Sequence, residues 1–137
     1  MANGYLSATF ADTLLLAWLT HSVDLPGEYF VGLTLALPTD DEGTGIEIPD
    51  AIEYARAVIP ADADSWASMG EGSRSMESSV TVAFPTAETD WGQILGYTLH
   101  DQYENYVGFG ILNPYTITVG MTPRLPAGTI VISLPIT

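Results

Sequence analysis

The chain has 137 residues, enough for one domain and too short for two ordinary ones. Seventeen acids against three arginines and no lysine leave a formal charge of −14, while 47% of residues are hydrophobic, the composition of a folded domain and not of an acidic disordered tail. With Arg56, Arg74 and Arg124 as its only side-chain cations beyond histidine, the chain cannot neutralise a run of phosphates or grip anionic lipid, which argues against nucleic-acid and membrane-surface partners.

The first 22 residues lack a positively charged leader, and Asp12 lies ahead of the apolar run Leu14 to Leu19. That run falls short of the roughly 18–20 residues that span a bilayer, so neither export nor membrane insertion is expected. Leu6, Phe10, Leu14 and Trp18 recur every fourth position, widened by Leu15 and Leu19. This period predicts an amphipathic helix over 6–20, with Asn3 as N-cap and Asp24-Leu25-Pro26-Gly27 as its stop. The stripe either packs on the domain's own core or docks on a neighbouring subunit.

From Tyr29 onward the periodicity is that of strands. Tyr29, Val31, Leu33 and Leu35 alternate with Phe30, Gly32, Thr34 and Ala36, so both faces are expected to be covered. Residues 38–49 form an acidic, turn-rich loop. A short strand follows over Glu53 to Ile59, then a second loop to residue 78. Val80, Val82 and Phe84 alternate up to Pro85. Further strands are expected over Ile94 to His100, Tyr106 to Leu112, Tyr115 to Val119 and Thr129 to Leu134, with turns at 101–105, Asn113-Pro114, Gly120 and 123–128. The expected fold is mainly β, an antiparallel β-sandwich of about seven to eight strands with one N-terminal amphipathic helix. Residues 1–27 supply the helix and turn, packed on the domain or on a neighbour. Residues 28–137 supply the sandwich, in a single domain overall.

The sequence carries little that reads as chemistry. The absence of cysteine and lysine removes disulfides, thiolate sites and Schiff-base chemistry. His100 beside Asp101 could orient a general base, but no serine stands in a nucleophile elbow. The paired glycines 43/45, 70/72 and 108/110 lack the third glycine of a dinucleotide site. Asp40-Asp41-Glu42 and Asp62-Ala63-Asp64 do not follow the spacing of a calcium loop. No catalytic residue, cofactor or metal site is therefore assigned. Trp66 and Trp91 stand in or beside loops as candidates for sugar stacking, interface anchoring or core plugging. Arg56 and Arg124, scarce cations among many acids, are candidates for intrachain or intersubunit carboxylate pairs.

The segment Tyr54-Ala55-Arg56, then Phe84-Pro85 with Asp90-Trp91-Gly92, then Tyr106 to Leu112, then Arg124 with Pro126-Ala127-Gly128, resembles a family of small tailed-bacteriophage proteins, the tail-fibre or tail-collar β-sandwich proteins. The resemblance spans roughly residues 6–134. Met121 stands where the pattern carries a turn acid, and the 61–78 loop is unusually acidic. The resemblance implies a non-enzymatic virion component, made in the host cytoplasm and placed in a tail fibre or baseplate collar. Decoration of the capsid surface and binding of host-surface glycan are its alternatives. Implied partners are other phage structural proteins and copies of the same chain, without a cofactor. The interface candidates are Leu14, Trp18, Arg56, Trp66 and Arg124. Copies carrying −14 each repel at low ionic strength, so assembly should tighten with added salt.

Overall fold

The computed structural model describes residues 4–22, 24–40 and 42–134. In chain order the elements are β1 (Gly4–Leu6), α1 (Ala8–Thr20), β2 (Glu28–Thr34), β3 (Ala57–Pro60), β4 (Trp66–Ser68), β5 (Ser75–Ser78), β6 (Val82–Ala83), β7 (Gly92–Asp101), β8 (Tyr106–Ile117), β9 (Arg124–Leu125) and β10 (Val131–Ser133). The molecule is mainly β with one helix, as the periodicities predict. Eight strands form one sheet in the order β3-β2-β7-β8-β1-β10-β5-β4, and β6 and β9 form a separate ribbon. Pairings are antiparallel except β1 with β10, where Tyr5 lies opposite Ser133 in parallel.

The centre of the sheet is the long hairpin β7–β8. Val31 and Leu33 on β2 stand opposite Leu99 and Tyr97 on β7, and all four are essentially fully buried. Val82, Phe84 and Leu125, from the ribbon and its flank, join them in one core with Ile59, Ile94, Ile117 and Ile130. The ribbon thus faces the large sheet across a shared interior, in a sandwich-like arrangement. β3 and β4 are the two edges of the large sheet, yet only residues 61–65 separate them. The Trp66 indole N–H donates to the Pro60 carbonyl at 3.0 Å, and its ring meets Tyr29 of β2 edge-on at 6.3 Å. This corner draws the two edges together, which protects them from pairing with another chain.

Several boundaries differ from the expectation. The segment Glu53 to Arg56 precedes the strand, which begins at Ala57. Asn113-Pro114 makes no turn: β8 runs through it in one piece, with Tyr115 opposite Ile94 and Ile111 opposite Gly96. The extra residues bulge out of the ladder, a setting in which proline's missing N–H costs nothing. The 61–78 loop holds the hairpin β4–β5, whose strands are too short and serine-rich to show an alternation. The helix begins later than expected, because Ser7 is its N-cap and accepts from the Phe10 N–H at 3.1 Å. Asn3, the expected cap, lies outside the described residues.

Candidate assembly surface

The helix α1 has no glycine or proline to break it, and it ends where His21 adopts a left-handed conformation (φ 53°) and its N–H caps Ala17. Its attachment to the sheet is concentrated at the first turns. The Ser7 N–H donates to the Val107 carbonyl at 2.6 Å and its hydroxyl to the Tyr106 carbonyl at 3.1 Å. Phe10 is buried and meets Tyr29 edge-on at 6.5 Å. The rings Phe10, Tyr29 and Trp66 therefore form a chain of edge-on contacts from helix to β2 to β4.

Beyond that anchor the helix is apolar nearly all round from Leu14 to Leu19. Ala17 is buried and Leu14 half-buried. Trp18 and Leu19 are 70% and 66% exposed, and Leu15 and Leu16 about half exposed. A helix apolar on all faces is normally enclosed; this one presents a contiguous band of four large side chains outward. The stripe read from the sequence therefore divides: Phe10 and Leu14 turn to the domain, while Trp18, Leu15 and Leu19 turn away.

Between α1 and the β4–β5 hairpin runs a mostly apolar groove, whose lining also includes the acids Asp62 and Glu71. One stretch, of about 550 Å³, is lined by Phe10, Tyr29, Trp66, Met76, Val107 and Ile132. The next, of about 570 Å³, shares Phe10, Tyr29, Met76 and Ile132 and extends past Leu14 to Ser73 and Arg74.

The other candidates lie elsewhere. Arg56 pairs within the chain, 3.7 Å from Glu104, which is 85% exposed, so the pair is solvent-screened and weak. Arg124 is exposed on β9 of the ribbon. Trp66 lines the groove, half-buried. Trp91 is buried and is core, not a platform: its ring stands edge-on to Tyr54 at 5.3 Å. His100 and Asp101 do not form a dyad. Asp101 is buried and accepts from the Tyr103 and Asn105 backbone N–H groups and the Asn105 side chain, holding the β7–β8 turn. Burial, then the Arg56 guanidinium, pushes His100 down to about 4 against the opposing pull of Glu104 and Asp101. Among the described residues no group of three acidic or histidine side chains is placed to hold a metal ion.

One organising residue escaped the sequence reading. Glu53 Oε2 accepts from the Trp91 indole at 2.9 Å, the Glu88 N–H at 2.7 Å, and the Thr89 N–H and hydroxyl at 3.1 and 3.3 Å. The Trp91 bond first, with the backbone N–H groups of Glu53, Glu88 and Thr89, holds this carboxyl down to about 2. Asp90 Oδ1 in turn accepts from the Val119 N–H at 3.0 Å. The Phe84 to Gly92 segment is thus a clasp: Phe84, Ala87 and Trp91 are buried, and its backbone and acids tie the loops at 50–54 and 117–121.

These contacts give a physical role to the Tyr54–Arg56 and Phe84–Gly92 parts of the pattern that resembles phage proteins. No curated protein matches the chain. The model of the family described as Podophage GP4 fiber I protein gp80 matches residues 6–133, and it takes in the helix, the Tyr54–Arg56 segment, the clasp and the final strand; the chain belongs to this phage tail-fibre family.

Proposed function

We propose that the protein is a non-enzymatic component of the virion tail, at a fibre or its collar attachment, which joins other phage structural proteins through the outward face of α1. The observation that carries this reading is the band Leu15, Leu16, Trp18 and Leu19, exposed on a helix whose attachment is confined to its first turns and its Leu14/Ala17 side. Burying a large apolar side chain is worth about 1.5–3 kcal/mol, and aromatic anchors dominate protein interfaces. Family membership supplies the setting of a tail fibre. Arg124, exposed on the ribbon, is a second contact group suited to a partner carboxylate.

The experiment is a phage carrying Trp18→Asp in this gene. The expected particles lack the protein, or hold far less of it, while the purified variant keeps the wild-type circular dichroism and Tm. Particles with a full complement of the folded variant would overturn the reading.

A further inference from the structure

Of the three arginines, only Arg74 stands in an open turn, the tip of the β4–β5 hairpin. We propose that the Arg74–Ser75 peptide bond is a processing site for an arginine-specific serine protease of the trypsin class, and that the cut loosens the hairpin while the domain stays whole. This goes beyond the tail-fibre reading and does not depend on it.

Such a protease holds the basic side chain in an acidic pocket and pairs with the flanking backbone as an extended strand. The chain has no lysine, so only the bonds after Arg56, Arg74 and Arg124 qualify. Arg56 is half-buried and leads straight into β3, where Ala57 is paired opposite Val31. Arg124 is exposed, but Pro123 and Leu125 on either side of it are buried, and β9 is paired with β6. Val31 and Leu125 belong to the core, so freeing either segment disturbs it.

Around Arg74 the situation is the reverse. Ser68 to Arg74 is exposed without a break, and Gly70-Glu71-Gly72-Ser73 is the small, polar kind of tip at which nicking concentrates. Open space surrounds Gly70 and Gly72. The tip is held by local bonds, from the Ser73 N–H to the Gly70 carbonyl and from the Met69 N–H to the Ser75 carbonyl, both at 3.1 Å. The Arg74 carbonyl accepts from the Leu134 N–H at 2.9 Å, beside the exposed end of the described chain. None of these bonds involves a core residue, so the segment can open without the rest. The Arg74 backbone is also left-handed (φ 56°), a strained conformation for a residue with a Cβ, and the extended form that the protease binds relieves it. Hydrolysis adds water across the amide, leaving a carboxylate on Arg74 and an amino group on Ser75. Fragments 1–74 and 75–137 remain joined, because β2 of the first pairs with β7 of the second from Tyr29 opposite Asp101 to Thr34 opposite Gly96. Ser73, Arg74 and Ser75 line the groove beside α1, so the cut frees that wall.

The test is limited digestion of the full-length native protein with trypsin, followed by mass spectrometry and gel filtration. The expected first products are 1–74 and 75–137, formed at least about tenfold faster than any product of cutting at Arg56 or Arg124. The two fragments should elute together and keep the circular dichroism of the uncut protein. Arg74→Gln should survive at least about tenfold longer, with unchanged dichroism and Tm. In the nicked protein, amide hydrogen exchange should rise across residues 66–78 and stay slow in β7 and β8. A first cut at Arg56 or Arg124, or an Arg74 bond as resistant as the other two, would overturn the proposal. So would fragments that separate, or exchange that rises in β7 and β8 as much as in the hairpin. None of these results bears on the Trp18→Asp particles, which test the assembly reading separately.

Discussion

The hydroxyl of Tyr97 closes two hydrogen bonds on one backbone residue, Val131: it accepts from the Val131 N–H at 2.8 Å and donates to the Val131 carbonyl at 2.9 Å. Tyr97 lies on β7 and Val131 on β10, with β8 and β1 between them in the sheet. The ring crosses because Gly110, directly opposite Tyr97 on β8, has no side chain; a Cβ there would overlap the phenol ring. A second tyrosine does similar work at the other side. Tyr54 Oη accepts from the Leu33 N–H at 2.9 Å, where the pairing of β3 with β2 has ended at Val31. In both places a phenol stands in for a strand, satisfying backbone groups in a buried setting.

Tyr97→Phe keeps the ring and removes both bonds. It should destabilise the domain by about 1–3 kcal/mol, the penalty for stranding buried polar groups. Gly110→Ala should cost about 1–3 kcal/mol or more through forced overpacking. Urea unfolding of both variants checks this, and a wild-type midpoint for Gly110→Ala would contradict the packing over β8.

The Glu53 clasp predicts acid sensitivity with a defined window. The carboxyl is held down to about 2 in the fold from an ordinary value of 4.5. The unfolded chain therefore takes up this proton first as pH falls. The stabilisation is complete above about 4.5 and is lost as pH falls toward 2. Glu53→Gln should lower Tm at neutral pH, and the gap from wild type should close across that window. Parallel Tm curves would show that the charge on Glu53 is not what holds the loops.

His100 predicts a second, higher window. Its folded value lies near 4, depressed first by burial and then by Arg56, against an ordinary 6.5. The unfolded state thus binds the proton first, and stability declines as pH falls from about 6.5 to 4. In a His21→Asn background, His100→Phe should flatten the Tm profile over this range. An NMR titration of His100 near 6.5 would contradict its burial.

The strands β2, β7 and β10 were legible because Val31/Leu33, Leu99 and Val131 sit in plain apolar patterns. The chemistry of pairing was less so. Asn113-Pro114 reads as a turn locally, and only the partner strand, by offering Ile94 and Gly96 with one residue between them, converts it into a bulge. The hairpin β4–β5 carries no alternation that a sequence window could detect, because Trp66-Ala67-Ser68 is ordered by contact with Tyr29 and Pro60. The helix stripe was correct in period, but Phe10 and Trp18 fall on opposite sides of the question of exposure. Which side of α1 faces outward depends on the sheet beneath it. Glu53 was invisible for the same reason: its donors lie at positions 88, 89 and 91.

Charge predicts the salt dependence of assembly. Adjacent copies at −14 repel across distances of about 10 Å or less at roughly 0.1 M salt, while the contacts proposed for α1 are mostly apolar. Raising salt from low to moderate should therefore tighten self-association, read by sedimentation. A stable oligomer at low salt that loosens on adding salt would mean that ion pairs dominate the contact.

The most direct test of the account is an electron cryo-microscopy map of the intact virion. The account predicts this chain in the tail, with Leu15, Trp18 and Leu19 of α1 covered by a neighbouring protein subunit. A chain absent from the particle, or present with that face of α1 open to solvent, would contradict it.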